Sequence, residues 1–329
     1  MTFWLRFRAP LVITPPRDRL NSFEEGSPEI STMLSVAGYR YRNVLEAQGG
    51  PVTRISLREF QVYGRKMYQS NAWLSPSVVA PQKHLTLYSD ADGTGTSELP
   101  MVARHMAISE AMERWAYRVK VRADDRELYG FDVDESSNGM AAFPGLFHTE
   151  ARRRAHLEAV ERASIIAWWE GLIDGEVHTT DWPGVSALVL PSPIGFGVTV
   201  IAFREAAAGC FAYGQGAARD FFGACERAVM ELARNEYVLG LRRVSQGLST
   251  VEKPTDLFER RCVFFSTPEG HAMFLERIHR KTRGPRFTSE IVCDTDIAGP
   301  WSEYASVWRT VIRPVTKEFL VNSERYFFW

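Results

Sequence analysis

The chain has 329 residues, 45% hydrophobic and 24% charged, with a formal net charge of −1. Those values are typical of a soluble globular protein and give no bulk electrostatic case for nucleic acid or an anionic membrane, so any phosphate must be bound locally. Cys210, Cys225, Cys262 and Cys293 contain no C-x-x-C pair, which argues against a zinc site or a disulfide framework and fits a reducing cytoplasm.

Residues 1 to about 35 are broken by Pro10, Pro15 and Pro16; they offer a strand over Trp4–Phe7 or Leu11–Thr14 and a short helix over Pro28–Ala37. No secretory signal and no transmembrane run is visible. From Gly38 to Leu74 the pattern mixes short strands with a helix over Ile55–Gln69, and HLTLYS, residues 84–89, alternates as a strand. Asp92–Ser97 reads as a loop whose Gly93 and Gly95 admit positive φ and close approach of a ligand. A helix follows from Pro100 to Val121. The acids Asp124, Asp125, Asp132 and Asp134 after it read as solvated surface. A second helix spans Thr149 to Leu172, and a hairpin covers 185–203. CFAYGQGAARD gives a strand and glycine turn, and a third helix spans Phe221 to Leu241. Residues 243–260 read as a loop and a short exposed helix, and VFFSTPEG starts strand-like. HAMFLERIHRK is helical, strands surround Glu290–Cys293 and Ser306–Ile312, and the aromatic SERYFFW belongs to the core. The expectation is a single α+β domain with a mixed β-sheet.

Three helices carry the charge pattern that matters. The first holds Glu110, Glu113 and Arg114. The second repeats the Glu-x-x-Glu-Arg spacing as Glu158, Glu161 and Arg162, forty-eight residues on, which suggests internal duplication. The third aligns Arg227, Glu231 and Arg234 at i, i+4 and i+7. At about 100° per residue, Glu150, Glu158 and Glu161 fall within roughly a quarter-turn of one another. Ile108, Met112, Trp115 and Val119 form an apolar stripe on the first helix. The glutamates opposite still have Val102, Ala103, Met106 and Tyr117 as neighbours. Carboxylates in semi-apolar stripes are costly unless paired or bound to a cation. Such a set suits a Mg2+-nucleotide site, in which carboxylates and phosphates share the metal and arginines neutralise phosphate. The blander reading is a solvated helix face with local ion pairs, each contributing a few tenths of a kcal/mol.

In order along the chain, DGTGTS with MAISEAMERW, FHTEARRRAHLEAVERASIIAWW, YGQGAARDFFGACERAVMELARN and IVCDTDIAGPWSEYASVWRTVIRP resemble the motifs of the YcaO family, ATP-dependent activators of backbone amides. The resemblance covers roughly residues 85–315. It implies a YcaO-like nucleotide-binding core over 85–329, continuous with a divergent part over 1–84. It also implies ATP and Mg2+ as cofactors. Glu110, Glu113, Glu150, Glu158 and Glu161 would hold the metal. Gly93, Gly95, Glu110, Arg114, Glu158, Arg162, Arg227 and Glu231 would surround the nucleotide. The family phosphorylates a peptide amide oxygen after a nucleophile has added, and loss of phosphate leaves an azoline, a thioamide or an amidine. Azoline heterocyclisation, the route to thiazoles and oxazoles, is the commonest outcome. The partners implied are a ribosomally made precursor peptide and a separate leader-peptide-binding protein, with self-association into a homo-oligomer left open.

The chain departs from the family pattern at Met106, where a serine is common, at Arg234, where a glutamine is common, and at Thr94, where a lysine is frequent. It also lacks the Pro-x-Pro-x-Pro tail after Arg313–Pro314. These departures motivate the alternative expectation, a non-catalytic subunit that binds peptide or scaffolds an active homologue.

Overall fold

The structure is a computed structural model that describes residues 28–80, 87–136, 138–246, 254–282, 287–313, 316 and 318–328. The strand expected within residues 4–14 lies outside them. In chain order the elements are α1 (Pro28–Arg40), β1 (Val52–Val62), β2 (Arg65–Leu74), β3 (Gly93–Ser97), α2 (Pro100–Lys120), β4 (Met140–Pro144), α3 (His148–Trp169), β5 (Glu176–Thr179), β6 (Ser186–Pro191), β7 (Val198–Ala207), β8 (Cys210–Ala218), α4 (Phe221–Gln246), α5 (Leu257–Phe265), α6 (Pro268–His279), β9 (Glu290–Asp296) and β10 (Ala305–Arg313).

The α+β expectation holds, but the mixed sheet does not. Among the described residues the strands form three sheets, β1-β2-β3, β4-β10-β9 and β5-β6-β7-β8, in which every neighbouring pair is antiparallel. The sheet that begins with β1 spans both expected parts of the chain, because β2 pairs with β3.

Several local expectations are corrected. Ile55–Gln69 is not a helix but most of the β1–β2 hairpin, closed by a two-residue turn in which Tyr63 (φ 47°) and Gly64 (φ 81°) are both left-handed. That is the turn whose twist matches paired strands. Leu87–Ser89 is not a strand; residues 84–86 lie outside the described set. The Leu87 and Tyr88 N–H groups donate instead to the buried Glu259 carboxylate at 2.7 and 2.9 Å. Residues 263–265 end helix α5 rather than start a strand. Its first turn is capped by Asp256, which accepts from the Phe258 and Glu259 N–H groups.

Helix α2 packs on β2 and β3, α4 packs on β7 and β8, and α3 runs between β4 and β10 on one side and β7 and β8 on the other. This explains why α3 has no clean apolar stripe: Ala151, Ala155, Leu157, Val160 and Ile165 through Trp168 are buried in several directions. On α2 the expected stripe is buried through Ile108, Met112 and Trp115, whereas Val119 is exposed. The terminal aromatics are core, as expected: Phe327 and Phe328 are buried with Trp168, Phe265 and Phe274. The buried guanidinium of Arg261 holds the end of the chain by donating to the carbonyls of Val321, Ser323 and Phe328. Arg309, fully buried, fastens residues 129–138 through the carbonyls of Tyr129, Asp134, Ser136 and Asn138.

Candidate functional site

The site is built around two free sheet edges. Among the described residues β3 ends one sheet and β8 ends another, so each has backbone groups with no strand to pair. On β3 the Thr94 N–H donates to Glu110 Oε2 at 2.9 Å and the Thr94 hydroxyl to the same oxygen at 3.1 Å. On β8 the Gln215 N–H donates to Glu231 Oε2 at 3.3 Å. In both cases strand residue and glutamate are sixteen apart. One N–H further along β8, Ala217 donates to Glu161 of α3. Three glutamates are thus seated on backbone donors that would otherwise be orphaned.

Flanking glycines make this geometry attainable, and here the sequence reading is corrected. Gly93 and Gly95 lie in a strand, neither has positive φ, and what approaches them is a helix. A Cβ on Gly93 would lie 2.1 Å from the Ala107 carbonyl oxygen, and one on Gly95 2.1 Å from that of Ala103. Gly214 and Gly216 do the same against α4, where a Cβ would meet the Ala228 carbonyl oxygen at 2.1 Å and that of Ala224 at 2.7 Å. The internal repeat therefore relates β3–α2 to β8–α4, with Gly93, Thr94, Gly95 and Glu110 matched by Gly214, Gln215, Gly216 and Glu231.

Between these halves stand the remaining charges. The charge of Glu158 on α3 bears on Glu113 of α2, and that of Glu161 on α3 bears on Glu231 of α4. Burial, then the Glu158 charge, holds the Glu113 carboxyl well above the usual glutamate range. Burial pushes Glu158 and Glu231 up to about 7 and raises Glu161, while Arg154 works against the rise in all three. Arg114 sits 4.0 Å from Glu110, one turn away on α2.

Among the described residues, Glu113 and Glu158 have neither a hydrogen bond nor an ion pair within 4 Å. Arg154 Nη1, Arg162 Nε, Arg227 Nη1 and Gln215 Nε2 are buried donors without an acceptor; of these side chains, Arg154 bears on both glutamates and Arg162 on Glu158. Gln215 is only 5% exposed. Among the described residues no three acid, histidine or cysteine side chains are arranged to hold a metal ion unaided. Mg2+ commonly takes one or two carboxylates and completes its shell with water and substrate phosphates, so this donor set fits the ion together with a phosphate chain.

The structure brings together Glu110, Glu113, Arg114, Glu158, Glu161, Arg162 and Glu231 of the expected set, with Arg227 on the neighbouring turn of α4. Two turns before Glu158, on the same face of α3, stands Glu150. That residue sits in the first turn of α3, and no hydrogen bond or ion pair ties it to the cluster among the described residues. An eight-residue spacing preserves the helix face but advances two turns. Two contributors were missed. Arg154 acts on Glu113, Glu158, Glu161 and Glu231 alike; its signal was the i, i+4 relation to Glu158. Asp134 is not solvated surface: it is 4% exposed and acts on Arg162, because Arg309 pulls its loop inward.

The raised carboxyls make stability depend on pH. For these groups the folded state binds protons more readily than the unfolded chain, so their contribution falls as pH rises from the usual glutamate range through about 7. In buffer with a metal chelator, the melting temperature should gain from this cluster as pH drops from 8 to 5.5. Glu158→Gln should flatten that gain; an unchanged slope in the variant would show that the cluster does not titrate this way.

No family model matches the chain, and no curated protein matches it. The chain is similar to two solved structures. One is YcaO from Methanopyrus kandleri bound with AMPPCP and Mg2+, at 16% identity, covering 87% of this chain and 92% of that one, with a TM-score of 0.49. The other is the E. coli microcin synthetase McbBCD complex with pro-MccB17 bound, at 12% identity, covering 78% of this chain and 86% of that one, again with a TM-score of 0.49. No helix among the described residues is long and apolar enough to cross a membrane.

Proposed function

We propose that this chain is a YcaO-type enzyme that uses ATP and Mg2+ to phosphorylate a backbone amide of a ribosomally made peptide. One observation carries the reading. Arg154 and Arg162 bear on the raised glutamates, yet Arg154 Nη1 and Arg162 Nε are buried without an acceptor. In a purely structural ion-pair network those arginine N–H groups would be bonded to Glu113 and Glu158. A ligand presenting both a cation and phosphate oxygens satisfies both sets at once.

Glu113 and Glu158 would hold the metal, with Glu161 beside them. Mg2+ supplies charge neutralisation and Lewis acidity at the phosphates. Arg154, Arg162 and Arg227 are set to donate to phosphate oxygens, and Gln215 to offer one more N–H. Glu110 and Glu231 keep the two helix–strand units in register, with Arg114 steadying Glu110. Gly93 and Gly95 serve the nucleotide indirectly by letting α2 lie on β3. An amide oxygen is a poor leaving group and a phosphorylated one a good one, so arginines preorganised around the transferring group lower the barrier.

By the resemblance of its motifs, the product is first of all an azoline from Cys, Ser or Thr, then a thioamide or amidine. The substrate is a precursor peptide delivered by a leader-binding partner, and the compartment is the cytoplasm. The parts over 1–84 and 85–329 act as one domain, a reading supported by the β2–β3 pairing.

Thermal unfolding with and without ATP plus Mg2+, on wild type and Glu158→Ala, tests the reading. One-site linkage gives about 2.7 kcal/mol of stabilisation at a hundred times the dissociation constant. A shift in wild type that the variant loses supports it. No shift in either protein favours the scaffolding subunit.

A further inference from the structure

Where α3 packs against β10, a cavity of about 20 Å3 remains. Ala159, Arg162, Ala163 and Ile166 line it from the helix, at the spacing of one helix face. Asn138 and Thr310 also line it. Backbone bonds hold these two together: the Thr310 N–H donates to the Gly139 carbonyl at 2.7 Å, and Arg309 Nη1 donates to the Asn138 carbonyl at 3.1 Å. Thr310 is fully buried and Asn138 is 6% exposed. Among the described residues, Arg162 Nε, Asn138 Oδ1 and Thr310 Oγ1 are each buried without a partner.

Size and polarity select the occupant. A water needs about 10–15 Å3 of such space and two to four polar partners. Organic ligands fill pockets of about 300 Å3 or more. The Arg162 Nε–H only donates, the Asn138 Oδ1 only accepts, and the Thr310 hydroxyl does either. A cation would serve the two oxygens, leave the N–H unpaired and stand beside a positive charge. An anion would serve the N–H and repel the Asn138 oxygen. One water accepts from Arg162, donates to Asn138 and completes a third bond with Thr310.

We propose that a single buried water joins Arg162, Asn138 and Thr310, and that Asn138 and Thr310 thereby act as positioning residues for the Arg162 guanidinium. The Phe328 ring already covers one face of that guanidinium, its centroid 4.5 Å from Cζ. With Nε held as well, the remaining N–H groups have a fixed direction in which to meet a phosphate oxygen. The positioning role rests on the reading of Arg162 as a phosphate ligand; the water site does not.

A crystal structure of the full chain, at a resolution that shows ordered water, tests the site itself. It should hold one water within hydrogen-bond distance of all three atoms. An empty cavity, a cation in it, or an Arg162 side chain turned out of it would overturn the proposal. The dissociation constant of Mg-ATP, measured by calorimetry, tests the positioning. Thr310→Val should weaken binding about tenfold, the upper value for one hydrogen bond, and Thr310→Ser should restore it. In an Arg162→Gln background Thr310→Val should add nothing. Asn138→Leu should behave as Thr310→Val does, so a folding failure in either leaves the other to decide. An equal loss with and without Arg162 would overturn the positioning role. No binding of Mg-ATP by wild type would count against the nucleotide reading, while the crystal structure still decides the water.

Discussion

Glu113→Gln and Glu158→Gln should each lower nucleotide turnover about a hundred- to a thousandfold, the range expected when one preorganised electrostatic group is lost from a transition state. The same substitutions should leave the metal-free protein no less stable, and more stable at pH 8. The reason lies in the arrangement. Neither carboxylate has a hydrogen-bond donor among the described residues; burial and then the Glu158 charge raise Glu113, and burial raises Glu158. Glutamine keeps the shape and removes the charge, relieving the repulsion while removing the metal's ligand. Activity and stability thus move in opposite directions, as expected where a site holds charge for function at the expense of folding. Steady-state ATP hydrolysis alongside chemical denaturation at pH 8 reads both. Loss of stability together with activity would mean that the pair is a structural element.

Gly93→Ala and Gly214→Ala should each cost several kcal/mol, at or beyond the upper end of the roughly 1–3 kcal/mol typical of overpacking. A Cβ at either position would meet a helix carbonyl oxygen at 2.1 Å, and backbone cannot rotate aside as a side chain can. The helix must lift from its strand, and the Thr94–Glu110 or Gln215–Glu231 bond lifts with it. Gly38 provides the control: it lies in α1 with nothing within 4 Å of an added Cβ, so Gly38→Ala should be neutral or slightly stabilising. Urea midpoints of the three variants decide the matter. Equal midpoints would mean that the close approach has slack.

The helices of the site were legible because their signals are local. Proline at the start of α2, apolar residues at helical spacing and glutamates at i, i+3 survive any tertiary context, and α2, α3 and α4 begin within a residue of where the sequence put them. What failed was information held between elements. Glycines at 93 and 95 announce a close approach without saying whether a ligand or a helix makes it. Arg154 sits in an Arg-Arg-Arg run that reads as surface, and only the position of α3 between two sheets turns it inward. Asp134 is buried by Arg309, 175 residues away along the chain. The Glu-x-x-Glu-Arg repeat marks two helices, and the correspondence of β3–α2 with β8–α4 lies instead in strand residues seating a glutamate sixteen positions on.

The seating of Glu110 and Glu231 on the inner strand edges has a consequence for solubility. An unpaired edge is a template on which another chain can add a strand and propagate association. Here the two edges nearest the site each have a strand N–H closed by a carboxyl group that an incoming backbone would have to displace. The residues that frame the pocket therefore also guard the molecule against its own copies. Removing them would leave the Thr94 and Gln215 N–H groups without their acceptors and open both edges to an incoming strand.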